Sequence, residues 1–205
     1  YARSAAPGKH CRRKHHRGRA AIGPRPAAFI DRDGTLVEEV NYLSRVADLR
    51  LFPFTAEAIQ ALKERGFWII VVTNQSGIGR GIYTDADMRS VHDEIQRQLG
   101  GAIDAFLHCP HLPGEGCRCR KPNLGMLDDA AAKFTIDMQR SWFIGDKKLD
   151  IETGWNAGIR TAMVRTGYGT AHESLLSRKP DVAADDLLQA VGEILQFENA
   201  FAGQV

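Results

Sequence analysis

Two aspartates one residue apart, in Asp31-Arg32-Asp33-Gly34-Thr35, stand directly after the apolar run Ala27-Ala28-Phe29-Ile30. Like charges this close repel, and a surface loop has little reason to set them at the mouth of a buried strand. A dication and a phosphate ester supply a reason. Asp31, first off the strand, is placed to attack phosphorus and carry the phosphoryl group, which splits hydrolysis into two easier steps. Asp33 is placed to protonate the departing alkoxide and then to take a proton from the attacking water. A carboxylate facing a phosphate needs a cation between them, and Mg²⁺ takes carboxylate, carbonyl and water oxygens. Asp146 after Gly145 is the third carboxylate for that ion, and Asp150, one helical turn on, could hold a metal-bound water. The equatorial phosphate oxygens need donors. The Thr73 hydroxyl, the Asn74 amide and the Lys121 ammonium are the candidates. Loss of one such donor costs about 3 kcal/mol of barrier. Each has a plainer alternative: Thr73 could only end a strand, Lys121 could be a solvated loop lysine, and Asp146 could cap a helix.

A second group is Cys109-Pro110-His111, a five-residue gap, and Cys117-Arg118-Cys119. Three thiols and an imidazole without a carboxylate suit a closed tetrahedral zinc site of structural type. Zinc at Cys109, His111, Cys117 and Cys119 would fix the irregular Leu112–Gly116 loop and so aim Arg120 and Lys121. His108 is the poorer ligand. Gly77-Ile78-Gly79-Arg80-Gly81 lacks the spacing and the lysine of a P-loop. It reads as a flexible segment beside the site, with Arg80 facing substrate.

These residues need a scaffold that gathers them. Apolar runs over 27–31, 67–73, 103–108, 141–145 and 161–165 read as strands, with 182–184 as a last edge strand. Helical patterns over 55–65, 84–99, 124–134, 151–157 and 185–197 alternate with them, together with a weak helix at Leu175-Leu176. Thr55 is the expected cap of the first helix and Gly66 its stop, while Thr84 to Asp87 reads as an acid-bearing capping box. The alternation predicts an α/β fold, a Rossmann-like parallel sheet with helices on both faces and no large cap domain. Ligands bind beyond the carboxyl ends of such strands. Asp31-Arg32-Asp33, Thr73-Asn74-Gln75-Ser76, Arg120-Lys121 and Asp146-Lys147 all follow predicted strands, so four scattered clusters should meet at one edge.

The length of 205 residues suits one α/β domain, and 43% hydrophobic residues supply its core. The net charge of +2 is uneven. Residues 1–26 carry Arg3, Lys9, Arg12, Arg13, Lys14, Arg17, Arg19 and Arg25 and no acid. Setting these eight aside leaves 19 Lys and Arg against 25 Asp and Glu, so the body is acidic by six. The expected organisation is a disordered basic tail over 1–26, a catalytic domain over 27–197 and a short C-terminal tail over 198–205. A basic arm with a Cys/His cluster also fits a nucleic-acid-binding protein, but the acidic body and the lack of a recognition helix oppose it. With no bilayer-length apolar run, no secretory pattern and clustered free thiols, the expectation is a soluble, cytoplasmic, monomeric protein with no membrane partner.

Taken together, Asp-x-Asp-Gly-Thr, Thr73-Asn74, Lys121 and Gly145-Asp146-x-x-x-Asp150 resemble, in order, the four motifs of the haloacid-dehalogenase-like phosphatases, over about residues 27–190. The chain is most similar to the zinc-containing subgroup that holds the D-glycero-D-manno-heptose 1,7-bisphosphate 7-phosphatases and the histidinol-phosphate phosphatases. The resemblance rests further on Thr73 to Ile78, Cys119-Arg120-Lys121-Pro122, Gly125-Met126-Leu127 and Val164-Arg165-Thr166-Gly167. It implies Asp31 as nucleophile, Asp33 as acid/base, Mg²⁺ on Asp31, the Asp33 carbonyl and Asp146, and Thr73 and Lys121 on the transferring phosphoryl group. It also implies that Glu39, Val40, Asn41, Tyr42, Asn74, Gln75, Ser76, Arg120 and Lys147 line the sugar and a distal phosphate. Lys147 and Gln75-Ser76-Gly77-Ile78 favour a heptose bisphosphate. The short loop between His111 and Cys117 is more similar to the histidinol-phosphate enzymes.

Overall fold

The computed structural model describes residues 23–202. Of the basic tail expected over 1–26, residues 1–22 lie outside the described residues. Six parallel strands form one sheet in the order β3-β2-β1-β4-β5-β6. They are β1 (Ala27–Ile30), β2 (Trp68–Asn74), β3 (Ala105–Cys109), β4 (Trp142–Gly145), β5 (Arg160–Val164) and β6 (Val182–Ala184). The helices are α1 (Thr55–Glu64), α2 (Ser76–Gly79), α3 (Asp85–Gln98), α4 (Gly125–Ala131), α5 (Lys148–Asn156), α6 (Gly169–Glu173) and α7 (Leu187–Ala202).

Strand alternation sorts the apolar residues into two layers. Ala28, Ile30, Ile69, Val71, Trp142 and Ile144 pack with Ile59 and Leu62 of α1, Val91 and Ile95 of α3, and Val191 and Ile194 of α7. Ala27, Phe29, Ile70, Val72 and Phe143 pack with Met126, Leu127 and Ala130 of α4 on the other face. Both faces are covered, as a sheet of near-continuous apolar strands requires. Each fully buried Phe or Ile contributes roughly 2 kcal/mol. The order reverses between β1 and β4, and the crevice beyond that reversal is where such sheets bind ligands. Asp31 and Asp146 leave the sheet on its two sides. Among the described residues no helix is long and apolar enough to cross a membrane, and no cap domain interrupts the sheet.

Several boundaries differ from the sequence reading. Phe54, not Thr55, caps α1, because the Thr55 hydroxyl donates instead to the Leu36 carbonyl at 2.7 Å. The Thr84–Asp87 capping box forms, and Gly66 closes α1 at φ +81°. β3 begins at Ala105 because the Asp104 carboxylate turns back to accept from the Ile69 N–H at 2.8 Å and from Lys63 at 2.9 Å. The helix expected at Leu175-Leu176 lies earlier, at Gly169–Glu173, with Leu175 exposed beyond it. The short helix α2 takes in Gly77 to Gly79 of the glycine-rich segment, and a Cβ on Gly77 would meet the Tyr83 ring at 2.1 Å.

The domain is also longer than 27–197 at both ends. Arg25 donates to the Gly66 carbonyl at 2.7 Å and lies 3.9 Å over the Trp68 ring. At the other end α7 continues to Ala202. Glu198, expected in a tail, is buried and paired with Arg140 at 2.5 Å and Arg160 at 3.8 Å.

Candidate active site

Four strand ends bring the predicted residues together. Asp31 is buried straight after β1, and its main-chain N–H donates to the Ile144 carbonyl of β4 at 2.9 Å. Lys121 is buried from the loop after β3, and its Nζ donates to Asp31 Oδ1 at 2.9 Å and to the Val72 carbonyl at 2.9 Å. Asp150 Oδ1 lies 2.6 Å from the same ammonium and forms an ion pair with it. Asp150 therefore anchors Lys121, a partner that the sequence reading did not give it. Its other oxygen accepts from the Lys147 N–H at 2.9 Å. The glycine before Asp146 is explained by the same side chain: a Cβ on Gly145 would meet Asp150 Oδ2 at 2.3 Å.

Asp146 is fully buried, and the Tyr168 N–H donates to its Oδ2 at 2.8 Å. Two glycine backbones press against it. A Cβ on Gly34 (φ +83°) would meet Asp146 Oδ2 at 2.2 Å, and one on Gly167 (φ +53°) at 2.3 Å. Oxygens of Asp31, Asp146 and Asp150 lie within 4.8 Å of one another. Burial, then the Asp31 and Asp150 charges, pushes Asp146 up to about 8. Burial and Asp31 push Asp150 up to about 6. Burial also opposes ionisation of Asp31, but Lys121 and Lys147 outweigh it and hold Asp31 below the usual range. A crowd of hard, buried carboxylate oxygens fits a dication such as Mg²⁺.

Thr73 Oγ1 accepts from Gln75 Nε2 at 2.7 Å, which leaves its own proton free to be donated. Asn74 lines the site and has a further partner that the sequence reading did not give it. Its Oδ1 accepts from the Lys121 N–H at 3.1 Å and its Nδ2 donates to the Lys121 carbonyl at 3.4 Å, so it braces the main chain that carries Lys121. Gln75 is buried, with Nε2 donating to Asp33 Oδ2 at 3.0 Å.

Two clefts adjoin at Asp33, Asn74 and Lys147. One, about 150 Å³, is lined by Asp31, Thr73, Arg120, Lys121 and Asp150. The other, about 230 Å³, is lined by Glu39, Val40, Asn41, Tyr42, Gln75 and Ser76. Arg120 thus faces the first cleft, with Nη1 donating to the His111 carbonyl at 3.0 Å. Arg80 is exposed and lines neither. Lys147 Nζ sits between the clefts, 2.9 Å from Glu39 Oε2 and 3.2 Å from the Asp33 carbonyl. Burial pulls its pKa down, but Asp31, Asp146, Asp150 and Glu39 together raise it.

The thiols Cys109, Cys117 and Cys119 are not in disulfides. Sγ of Cys119 lies 3.1 Å from that of Cys109, 3.7 Å from that of Cys117 and 3.2 Å from His111 Nδ1. Cys109 lies 3.6 Å from Cys117 and 3.5 Å from His111. A tetrahedron with zinc–sulfur bonds of about 2.3 Å has edges of about 3.8 Å, so these four residues could hold zinc. His108 turns away to Asp85, at 2.9 Å.

Four residues of the site escaped the sequence reading: Arg32 and His92, both buried, Tyr83, and Tyr168 through its main chain. Burial, then the Arg32 charge, pushes His92 down to about 3. It is therefore neutral, and its Nε2 faces Arg32 Nη1 at 3.4 Å.

The HAD-hydrolase-like family model matches residues 118–190. The D-glycero-D-manno-heptose-1,7-bisphosphate 7-phosphatase of Thermosynechococcus vestitus is 38% identical over 189 residues, 82% of this chain and 94% of that protein. The D-glycero-alpha-D-manno-heptose-1,7-bisphosphate 7-phosphatase of Photorhabdus laumondii is 40% identical over 158 residues, covering 70% of this chain and 85% of that one. Among solved structures, the D,D-heptose 1,7-bisphosphate phosphatase of B. bronchiseptica, complexed with magnesium and phosphate, superposes with a TM-score of 0.77. It is 29% identical, and the match covers 83% of this chain and 99% of that one. With these relatives, this strand order and these motif residues at the strand ends, the chain belongs to the haloacid-dehalogenase-like phosphatases.

Proposed function

We propose that the chain is a Mg²⁺-dependent phosphatase that removes the 7-phosphate of D-glycero-D-manno-heptose 1,7-bisphosphate through an aspartyl-phosphate on Asp31. The observation that carries this reading is the meeting of Asp31, Thr73, Lys121 and Asp146 at the β1/β4 reversal. The relatives' names supply the substrate.

Asp31 and Asp146 carboxylates and the Asp33 carbonyl would hold Mg²⁺, which when bound offsets the charge between phosphate and carboxylates. Asp31 is kept ionised by Lys121 and Lys147, and so is ready to attack. As the Asp31 oxygen bonds to phosphorus, the ester oxygen leaves with a proton from Asp33. Asp33, now a carboxylate, takes a proton from the water that attacks the phosphorylated Asp31. The Thr73 hydroxyl and the Lys121 ammonium donate to the transferring oxygens throughout. Glu39, Val40, Asn41, Tyr42, Gln75 and Ser76 shape the wall for the sugar, and Arg120 and Lys147 offer cations to a distal phosphate. Zinc on Cys109, His111, Cys117 and Cys119 would have no part in the chemistry. It would fix the loop whose His111 carbonyl holds Arg120. A cytoplasmic monomer goes with this reading, in keeping with three unpaired thiols.

The test is kcat/KM for phosphate release, with Mg²⁺, from D-glycero-D-manno-heptose 1,7-bisphosphate and from histidinol phosphate. The bisphosphate is expected to be the better substrate. A preference for histidinol phosphate, in line with the short loop after His111, would replace the proposed substrate.

A further inference from the structure

Arg32 stands between the two aspartates, and no role above uses it. It is only 1% exposed. A buried guanidinium costs several kcal/mol unless its donors are matched, and here they are matched toward one end. Nε donates to Asp33 Oδ1 at 3.0 Å, and Nη2 lies 2.9 Å from both Asp33 oxygens. Nη2 also donates to Gln75 Oε1 at 3.1 Å. Behind the fork, Nη1 meets the neutral ring of His92, which stacks on Phe106 at 4.5 Å. Tyr83 donates its hydroxyl proton to Gln75 Oε1 at 2.6 Å, which fixes the amide so that Nε2 points to Asp33.

We infer that Arg32 is the positioning residue for proton transfer by Asp33, held in place by His92, Gln75 and Tyr83. Nε and Nη2 of Arg32 and Nε2 of Gln75 make four contacts with the Asp33 carboxylate, two on each oxygen, and so fix its plane. The Asp33 side chain is 14% exposed and lines both clefts, so the oriented carboxyl still faces the space open to the substrate's leaving oxygen or to water. The step balances: the phosphorus–oxygen ester bond breaks as the Asp31–phosphorus bond forms, and the Asp33 proton moves to the leaving alkoxide. In the second step a proton of the attacking water returns to Asp33. Arg32 itself neither gains nor loses a proton.

The inference rests on the phosphatase reading, and leaving-group dependence separates the two. An alkyl phosphate ester needs its leaving oxygen protonated, whereas p-nitrophenyl phosphate releases an anion that is stable without a proton. The measurement is kcat/KM, which reports formation of the phosphoenzyme, for wild type, Arg32→Met and Arg32→Lys on a sugar phosphate and on p-nitrophenyl phosphate. Arg32→Met is expected to lose about 100-fold on the sugar phosphate and under about threefold on the aryl ester. Arg32→Lys keeps the charge and loses the fork, so it should show the same imbalance, smaller in size. It carries the comparison if circular dichroism shows Arg32→Met unfolded. Tyr83→Phe, which frees Gln75, should shift the ratio in the same direction. Equal losses on both esters would make Arg32 a packing residue and overturn the inference alone. Wild-type protein that turns over neither ester would overturn the phosphatase reading and the inference with it.

Discussion

His92 is a buried base in a neutral state, and its effect on stability has a definite sign. Burial opposes its charged form, as do Arg32, His108 and Arg89, with Asp85 the one opposing acid. In the fold it protonates only near pH 3, against 6.5 for the free side chain. Between those values the unfolded chain binds the extra proton, so the residue destabilises the fold as pH falls below 6.5. Integrated from pH 7 to pH 5, this one group removes about 2 kcal/mol of stability. His92→Gln takes the charge away and keeps an acceptor for Arg32 Nη1. It forfeits the stack on Phe106, a loss of about 1 kcal/mol that is the same at every pH. Urea unfolding at pH 7 and pH 5 gives the comparison, since every other titrating group is common to both proteins. The wild type should lose about 2 kcal/mol more than His92→Gln over that interval. Parallel losses would show that His92 protonates freely in the fold and would refute its burial as a neutral acceptor.

Asp31→Asn should abolish phosphate release while circular dichroism stays unchanged, and substantial residual turnover would sink an aspartyl-phosphate on Asp31. Gly34→Ala and Gly66→Ala make a matched pair, because both glycines have φ near +80° but only Gly34 has Asp146 Oδ2 at 2.2 Å from its would-be Cβ. Both should lose about 1 kcal/mol in backbone strain. Only Gly34→Ala should weaken Mg²⁺ binding by calorimetry, and equal Mg²⁺ affinity would refute the packing argument. Cys119→Ser should release zinc by elemental analysis, lower Tm and reduce kcat/KM by roughly tenfold through Arg120 and Lys121. Unchanged zinc content would remove the proposed clip.

The sheet was legible because its strands are apolar on both faces and separated by helical patterns. The gathering of Asp31, Thr73, Lys121 and Asp146 follows from one rule about parallel strands. Side-chain partners were harder to read, since they depend on distances that no periodicity encodes. Asn74, expected at the phosphate, lines both clefts and also braces the Lys121 main chain, 47 residues away. Asp150, expected beside the metal, stands in the carboxylate cluster and also pairs with Lys121. Arg32 did leave a signal. Continuing the alternation of β1, it falls on the side of Ala28 and Ile30, which faces a closed layer. An arginine there must have partners, and the nearest carboxylate along the chain is Asp33. His92 left one too: with Met88, Val91 and Ile95 it falls at the i, i+3, i+4, i+7 spacing of the buried face of α3.

The burial of Glu198 decides where this chain can be cut. Its carboxylate holds Arg140, just before β4, and Arg160, at the start of β5. Those are the ends of the two strands opposite Asp146. A protein shortened to Phe197 would leave both guanidinium groups without this acid, and because Arg140 is half-exposed the loss is on the order of 1 kcal/mol. It should melt at a lower temperature with its substrate KM unchanged. Any shortening of the chain therefore has to keep Glu198 and the helix that carries it.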